Sequence, residues 1–385
     1  MTDIDYGLFD LDNHFYETED AWTRHLEPEF KDALGHSKFS LTGGGTPLDQ
    51  PEGKEDWVVR PGSLKERLRK MKSADEGERL ELLMPPHPGF KNREERIKLM
   101  DEQGIDATAM FSSGVSVEHR FDDPRALYAH FRALNKFIED DWGYAYKERI
   151  YSPAMLSLRD LDMAVEELDR VMAKGARLIN LRPGHAYGRS PGDPYFDPFW
   201  ARINEAGLGV TFHQGEGGMN VALAPLWGLD PDPPAVEQSA WQWMNTYGNA
   251  PIMSVLSAVL YDNLFERFPN IRVASVENGA TWLPYFMQHI DKMRGMGRQG
   301  PWIGGQMPER PTAVARRHIV VCPYPEDDVQ AIVDQVGWEM IAMGSDYPHS
   351  EGMAHPKEFA ELVKGLTAEQ QRWILRDNGL SLVGR

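Results

Sequence analysis

The sequence contains one cysteine, Cys322, among 385 residues. A single cysteine cannot form a disulfide within the chain, and it cannot supply a cysteine-rich zinc site. Any metal ion that the protein binds must therefore be held by histidine, aspartate and glutamate side chains.

Positive charge is also scarce. The chain has 41 lysines and arginines against 59 aspartates and glutamates, which gives a formal net charge of −18, and it has no long basic run. Nucleic-acid-binding surfaces are rich in lysine and arginine. We therefore expect no nucleic-acid partner.

Long hydrophobic runs are missing as well. No segment approaches the roughly 18 consecutive apolar residues that span a bilayer. The first residues, Met-Thr-Asp-Ile-Asp-Tyr, lack the basic leader and apolar stretch of a signal peptide. The sequence predicts a cytoplasmic protein with no membrane partner.

The remaining composition is that of a globular protein, with 41% hydrophobic and 26% charged residues. From residue 96 onwards, short apolar runs that end in Gly, Asp, His or Pro alternate with helical segments, a pattern typical of a parallel sheet. The predicted strands are Gly7 to Asp12, Ala107 to Phe111, Ile150 to Leu156, Ala176 to Leu181, Gly209 to Phe212, Ile271 to Val276, His318 to Val321 and Glu339 to Met343. The predicted helices are Pro124 to Asp141, Asp160 to Ala173, Pro198 to Ala206, Pro251 to Phe268, Trp282 to Met293 and Asp327 to Val336.

Eight strands with intervening helices predict an α/β fold, a (β/α)8 TIM barrel formed by residues 1–385 as one domain. No Gly-x-Gly-x-x-Gly motif follows the first strand, which weighs against a dinucleotide-binding fold. Residues 36–95 interrupt the alternation with a segment rich in Gly, Pro and charge. We interpret it as an insertion after strand one that contains a short helix from Ser63 and either covers the barrel mouth or makes a subunit contact.

The candidate site residues follow the predicted strands, where the active site of such a barrel forms. Strand one closes with Asp10, Asp12 and His14, which strict alternation would point to one side. Strands five, six and eight contribute further metal-competent side chains: His213, Glu277 and Asp346. Metal-competent side chains at four strand ends predict a metal site.

Single members of this set have simpler interpretations. A lone histidine such as His213 is commonly a hydrogen-bonded structural residue. Asp10 can bond backbone N–H groups in the following turn. Arg182, after strand four, can clamp a substrate carboxylate or make a salt bridge.

The same residues carry a family resemblance. The chain resembles the amidohydrolase superfamily, in particular the amidohydrolase-2 branch that contains aminocarboxymuconate semialdehyde decarboxylase. The best matching segments are Asp193–Trp200 leading to His213, Asn263–Pro269 before strand six, and Gly344–His349 at strand eight.

The resemblance implies a divalent metal ion (zinc, manganese or iron) held by Asp12, His14, His213 and Asp346, with His213 also counted among the catalytic residues. It further implies that Asp346 moves a proton. Two departures matter: the branch's founding pattern has histidine where Asp12 stands, and strand six commonly carries histidine where Glu277 stands. A carboxylate-rich site favours manganese or iron somewhat more than a histidine-rich one. Glu277 is then either a general base or a metal ligand.

The leading hypothesis is a metal-dependent decarboxylase or hydrolase acting on a small carboxylated compound, either aromatic or amino-acid-like, with Arg182 and His349 binding the substrate. A second hypothesis comes from the excess of carboxylates, since Asp10, Glu17, Glu277, His349 and Glu351 lie near the site in sequence. Carboxylates can bridge two ions, as in the dinuclear iron/manganese 2-aminoisobutyrate hydroxylase that the Asp-x-His start resembles. The third hypothesis is a non-catalytic barrel subunit.

Tryptophan and methionine are concentrated between strands five and six, at Trp227, Trp241, Trp243, Met244 and Met253. Such stripes form an apolar pocket, a core or a subunit contact. We expect a homodimer, the commonest closed assembly, and leave a hetero-oligomer with a paralogue open. The sequence does not indicate which carboxylate is the substrate.

Overall fold

The computed structural model describes residues 4–33, 56–70, 81–112, 117–215, 217–233 and 237–384. Within these ranges no helix is both long enough and apolar enough to cross a membrane. The strands are β1 (Leu8–Phe15), β2 (Val58–Val59), β3 (Leu83–Met84), β4 (Ile105–Ser112), β5 (Ile150–Tyr151), β6 (Ala154–Met155), β7 (Leu178–Leu181), β8 (Gly209–His213), β9 (Arg272–Val276) and β10 (Ile319–Val321).

Eight of these strands form two arcs of a parallel barrel. One arc has the order β1-β4-β5 and the other the order β10-β9-β8-β7-β6, and every pairing in them is parallel. The predicted strand 150–156 is divided between β5 and β6, so that it ends one arc and begins the other. The predicted (β/α)8 barrel is confirmed.

Because β5 and β6 together fill one strand position, the two arcs supply seven positions. Residues 341–347 occupy the eighth position and close the barrel. Ile341 forms a parallel bridge to Val321 of β10, and Tyr347 forms one to Asn13 of β1. The Leu11 amide also donates to the Met343 carbonyl, at 2.9 Å. The predicted strand 339–343 is therefore an irregular segment with isolated bridges, and its first residues lie in a 3-10 turn, Trp338–Met340.

Helices surround the strands. The α-helices span Leu64–Lys70, Arg93–Gln103, Pro124–Phe137, Leu161–Ala173, Asp197–Ala206, Met219–Leu223, Ala240–Thr246, Asn249–Tyr261, Leu264–Arg267, Leu283–Met296, Pro311–His318, Val329–Val336, Phe359–Leu362, Ala368–Arg372 and Asn378–Leu382. The predicted helix 251–268 is two helices, because Asn263 between them adopts a left-handed backbone conformation with φ of 56°. The predicted helix 124–141 changes to a π-helix at Ile138–Trp142.

Alternating strand residues face two different apolar cores. In β10, Ile319 and Val321 join the large cluster between strands and helices, whereas Val320 joins a smaller cluster that includes few helix residues. β9 repeats this division, with Val273 in the large cluster and Ala274 in the small one. The period of two along a strand places the small cluster inside the barrel.

The described part of the predicted insertion consists of the antiparallel pair β2–β3 and the helix Leu64–Lys70, which confirms the short helix. This part lies on the loop that follows strand position eight. The Gly62 and Leu64 amides donate to the carbonyls of His349 and Ser350, at 3.2 and 2.8 Å. The Gly-rich run at 41–47 lies outside the described residues.

Candidate metal centre

Five predicted ligands come together at the carboxyl end of the barrel. Asp12 and His14 lie near the end of β1, His213 is the last residue of β8, and Glu277 directly follows β9. Asp346 comes from the segment that closes the barrel. Four of them, Asp12, His14, His213 and Glu277, offer ligand atoms that all lie within 4.8 Å of one another.

The distances between these side-chain atoms fit coordination of a common metal ion better than hydrogen bonds between the side chains. The two Nε2 atoms of His14 and His213 are 3.3 Å apart. His14 Nε2 is 3.4 Å from Asp12 Oδ1 and 3.3 Å from Asp346 Oδ1, and His213 Nε2 is 3.2 Å from Glu277 Oε2. Two ligands about 2.0–2.1 Å from a tetrahedral ion lie about 3.3–3.4 Å from each other. The ligand set therefore fits one divalent cation without rearrangement of these pairs.

Two further contacts support this fit. His213 Nδ1 lies 3.1 Å from the Gln214 carbonyl, which fixes a proton on that nitrogen and leaves the Nε2 lone pair for an ion. Asp12 Oδ1 is buried, and within the described structure no hydrogen bond satisfies it. Buried carboxylate oxygens are normally satisfied, and a cation would satisfy this one.

A second group of four overlaps the first. It consists of His14, Glu277, Asp346 and His349, whose ligand atoms also lie within 4.8 Å of one another. His349 Nδ1 is 2.7 Å from Asp346 Oδ1, and the imidazole rings of His349 and His14 are 4.0 Å apart. The structure thus places His349 among the candidate metal ligands.

The backbone is unusual at two of the carboxylates. Glu277 and Asp346 adopt φ angles of 55° and 53°, in the left-handed region that disfavours side chains other than glycine, asparagine and aspartate. Such conformations cluster at functional sites, where the surrounding structure holds them. Here they turn two carboxylates toward the barrel axis directly after their strands.

Charge is crowded in this cluster. Burial and the neighbouring Asp346 and Asp12 carboxylates raise the pKa of Glu277 well above its ordinary value. Burial also disfavours ionised Asp346, but His349 and His14 outweigh it and hold the pKa of Asp346 below its usual range. Burial would lower the pKa of His349, and Asp346 instead raises it to about 9. A cation among these groups would stabilise the ionised carboxylates.

Asp10 does not share this position, and the prediction that it points with Asp12 and His14 to one side is wrong. The pairing of β1 with β4 is irregular between Asp10 and Asn13, so strict alternation fails there. The Asp10 carboxylate accepts hydrogen bonds from the Asn13 side chain, at 2.8 Å, and from the Ser345 hydroxyl and amide, at 2.5 and 2.9 Å. It ties β1 to the closing segment, and burial raises its pKa to about 7.

The other candidate residues have partners outside the cluster. Glu17 is buried and accepts a hydrogen bond from Ser112. Glu351 accepts one from Ser350, at 2.7 Å. The Arg182 side chain is nearly buried, with its Nε 3.9 Å from a Glu118 carboxylate oxygen. These three side chains are absent from both four-residue groups.

Sequence reasoning missed Arg96 and Tyr324. Arg96 is fully buried, donates to the His14 carbonyl and lies between the rings of Phe90 and Tyr347, at 5.9 and 5.6 Å. The Tyr324 hydroxyl donates to the Glu277 carbonyl, at 2.9 Å. Arg96 follows Glu94 and Glu95 in a highly charged helix, so its sequence context gives no signal of burial.

Comparisons with known proteins agree with this architecture. The sequence model of the family described as amidohydrolase matches residues 87–385. The solved structure of an amidohydrolase from Mycobacterium avium subsp. paratuberculosis K-10 is 32% identical to this chain, covers 99% of both chains and superposes with a TM-score of 0.82.

More distant solved structures share the fold. A 5-carboxyvanillate decarboxylase from Sphingomonas paucimobilis is 14% identical, with a TM-score of 0.64 over 98% of this chain and 99% of that one. A dihydroxybenzoic acid decarboxylase from Polaromonas sp. JS666, solved with bound manganese and the inhibitor 2-nitroresorcinol, is 16% identical, with a TM-score of 0.61 over 98% of this chain and 97% of that one. The match of the family over most of the chain, together with the 32% identical structure, shows that this protein belongs to the amidohydrolase family.

Proposed function

We propose that this protein is a metal-dependent decarboxylase or hydrolase that acts on a small carboxylated compound. The observation that carries the proposal is the convergence of Asp12, His14, His213 and Asp346 from three parts of the barrel rim, with the two histidine Nε2 atoms 3.3 Å apart. These four residues would hold one divalent ion, with Asp346 Oδ1 lying 3.3 Å from His14 Nε2. Manganese, zinc and iron all suit such a set, and its carboxylates favour manganese or iron.

A bound divalent ion with an open coordination position would polarise a substrate oxygen or lower the pKa of a bound water. The protein's own groups supply the proton transfers. The Glu277 carboxylate lies 3.2 Å from the His213 nitrogen, on the same side of the rim, where it can take a proton from water or return one to a product. The Tyr324 hydroxyl donates a hydrogen bond to the Glu277 backbone carbonyl. This contact fixes the backbone from which the Glu277 carboxylate extends.

Asp346 and His349 form the second proton-handling pair. Their 2.7 Å contact lets a proton move between the carboxylate and the imidazole while His349 stays next to the cluster. The Tyr16 ring stacks on His349 at a centroid distance of 6.1 Å and restricts its orientation. Arg182 would then orient a substrate carboxylate, because a guanidinium group can bind a carboxylate through two parallel hydrogen bonds.

Small aromatic acids form the first group of substrates to test. Aromatic rings already line the cluster, since the Phe111 ring lies 4.7 Å from the His213 ring and 6.0 Å from the His14 ring. The fold shared with decarboxylases of 5-carboxyvanillate and dihydroxybenzoic acid supports the same choice. Hydroxylated benzoates and amino-acid-like carboxylates should both be included.

The proposal is tested with manganese-loaded protein and a panel of such acids and their amides. We expect release of carbon dioxide from an acid, or of an amine from an amide, and loss of turnover in the Glu277→Gln variant. The matched control is His289→Ala, which removes a partly exposed histidine bonded to the Tyr285 carbonyl and should retain full activity. Equal turnover in Glu277→Gln and wild-type protein would contradict the assignment.

The two overlapping ligand groups favour a second candidate, an oxygen-activating dinuclear iron/manganese hydroxylase. Glu277 belongs to both groups, and a carboxylate can bridge two ions. His14 also belongs to both groups; Asp12 and His213 complete one of them, and Asp346 and His349 complete the other. A catalytic ion needs about three protein ligands and an open position, so six side chains, with Glu277 shared, supply enough for two ions.

Oxygen uptake separates the two candidates. A dinuclear hydroxylase consumes oxygen in step with substrate after loading with iron and manganese, whereas a decarboxylase or hydrolase turns over under argon. The hypothesis of a non-catalytic barrel subunit predicts neither activity, and the intact ligand set argues against it. Turnover without oxygen would remove the hydroxylase hypothesis.

A further inference from the structure

Gln214 directly follows the candidate ligand His213 and contacts both this histidine and the neighbouring strand. Its carbonyl lies 3.1 Å from His213 Nδ1, and its amide donates to the Val276 carbonyl at 2.9 Å. Val276 is the last residue of β9 and directly precedes Glu277. The backbone of Gln214 therefore connects the two loops that carry His213 and Glu277.

The Gln214 side chain makes a second connection to Glu277, through Tyr324. Its Nε2 atom donates to the Tyr324 hydroxyl at 2.7 Å, and that hydroxyl donates to the Glu277 carbonyl at 2.9 Å. The chemistry of the two ends fixes the direction of this chain. A carbonyl oxygen only accepts hydrogen bonds, so the hydroxyl proton of Tyr324 points to Glu277, and the Gln214 amide group donates to the hydroxyl oxygen.

This arrangement decides what Tyr324 can do. A phenol has one proton to donate, and the Glu277 carbonyl takes it. Tyr324 is therefore not arranged as a proton donor to a substrate, although it lies next to the metal cluster. Its hydroxyl acts on the cluster through the backbone of Glu277.

The Tyr324 ring is itself fixed in place. A β-carbon on Gly279 would lie 2.6 and 2.7 Å from two carbons of the ring, so the ring packs directly on the glycine backbone, which has a φ of 62°. One carboxylate oxygen of Asp327 accepts from the Tyr324 amide at 3.0 Å and from the Ala280 amide at 2.7 Å. These contacts join the loops that follow β9 and β10 and keep Tyr324 next to Glu277.

The backbone of Glu277 needs this support. Its φ of 55° lies in the left-handed region, which is unfavourable for a residue with a long side chain and persists only where neighbouring groups hold it. Relaxation of this conformation would turn the Glu277 carbonyl and move its carboxylate. The hydrogen bond from Tyr324 is made to that carbonyl.

We propose that Gln214 and Tyr324 are positioning residues that set the separation of His213 and Glu277, whose Nε2 and Oε2 atoms lie 3.2 Å apart. This separation determines whether one ion can contact both side chains. Partners that orient metal ligands commonly contribute about 10–100-fold to metal affinity. The inference rests on the proposed function for its effect on turnover, whereas its effect on metal affinity is measured separately.

Manganese titration calorimetry of the full chain tests the proposal. Tyr324→Phe removes only the hydroxyl and should raise the manganese dissociation constant by about 10-fold or more. Gln214→Leu keeps the backbone contacts to His213 and Val276, and it should raise the constant by less, because Tyr324 still donates to Glu277. The double variant should bind manganese no more weakly than Tyr324→Phe, because the Gln214 side chain acts through the Tyr324 hydroxyl.

The matched control is Tyr261→Phe. The Tyr261 hydroxyl is also partly buried and also donates to a backbone carbonyl at 2.9 Å, that of Ile290, which belongs to no candidate ligand. This variant should keep the manganese affinity and the manganese electron paramagnetic resonance spectrum of wild-type protein, whereas Tyr324→Phe should change both. The melting temperature of each variant checks that the fold survives.

Equal manganese affinities in Tyr324→Phe and Tyr261→Phe would overturn the proposal. A double variant whose loss is the product of the two single losses would also overturn it, because Gln214 would then act independently of Tyr324. Wild-type protein that binds manganese but turns over no acid or amide would contradict the proposed function, and the affinities would still decide this inference. Wild-type protein that binds no manganese would overturn both.

Discussion

The interior of the barrel and its carboxyl rim are made by the same strands but differ in chemistry. Inside, Phe9, Leu178, Ala274 and Val320 form a compact apolar cluster. At the rim, β1, β8 and β9 lead into carboxylates and imidazoles that are buried or partly buried, and within the described residues Asp12 Oδ1 and His14 Nδ1 have no hydrogen-bond partner. The interior therefore stabilises the fold, while the charge buried at the rim is fully compensated only when a cation binds.

His213→Ala should show the largest separation of the two regions. It removes one metal ligand at the end of β8 without opening the interior cluster. We expect activity to fall on the order of 1000-fold or more, since metal polarisation contributes several kcal/mol. Manganese should raise the melting temperature of wild-type protein but not that of the variant. An equal manganese shift in both proteins would show that His213 does not bind the ion.

Leu178→Ala should produce the opposite result. Leu178 is fully buried in the interior cluster, so its truncation should lower the free energy of unfolding by about 2–5 kcal/mol. Manganese affinity of the protein that remains folded should be unchanged. Chemical denaturation and metal titration at the same temperature measure both quantities. A parallel loss of metal affinity would mean that the interior and the rim are not separate.

Arg96→Lys tests the link between the regions. The Arg96 guanidinium donates to the His14 carbonyl and lies between two aromatic rings, and within the described residues its Nε and Nη1 have no hydrogen-bond partner. Lysine keeps the charge but not the planar geometry. We expect the manganese dissociation constant to rise roughly 10–100-fold.

The control for this prediction is Arg294→Lys. Arg294 also donates to a backbone carbonyl, that of Met307, in a contact that involves no candidate ligand. Metal affinity should be unchanged in this variant, whatever its effect on melting temperature. If both lysine variants lose the same affinity, Arg96 acts through general stability and not through His14.

The smallest expected effect is at the opposite end of the barrel, at His318. Its Nδ1 lies 2.7 Å from the Ile271 carbonyl, and burial lowers its pKa below the ordinary 6.5. The folded protein therefore favours neutral His318. The stability that this preference contributes is present above pH 6.5 and is lost as pH falls through the lowered pKa of His318. On acidification, the melting temperature should fall less in His318→Gln than in wild-type protein. The corresponding difference in the free energy of unfolding should be about 1 kcal/mol or less.

The sequence was sufficient to predict the barrel, because each interior strand is a short apolar run with a polar residue at its end. It was also sufficient to predict that the candidate ligands Asp12, His14, His213, Glu277 and Asp346 lie close together, since strand ends in such a barrel meet at one rim. Two features depended on three-dimensional contacts. The irregular pairing after Asp10 turned that carboxylate toward Ser345.

The second feature was the burial of Arg96. Its helix, Arg93–Gln103, carries many charged residues and reads as solvent-exposed. Burial arises because Phe90, close in sequence, and Tyr347, distant in sequence, enclose the guanidinium. Likewise, the exposure of Met244 follows from the inward position of Gln242 on the same helix, which residue periodicity alone does not specify.

Elemental analysis of purified protein, before and after loading with manganese or iron, tests the central claim most directly. The account predicts at least one divalent ion per chain in wild-type protein and a large loss in His213→Ala. One ion supports the decarboxylase or hydrolase, and two ions that include iron support the dinuclear hydroxylase. Wild-type protein that binds no ion after loading would contradict the metal centre.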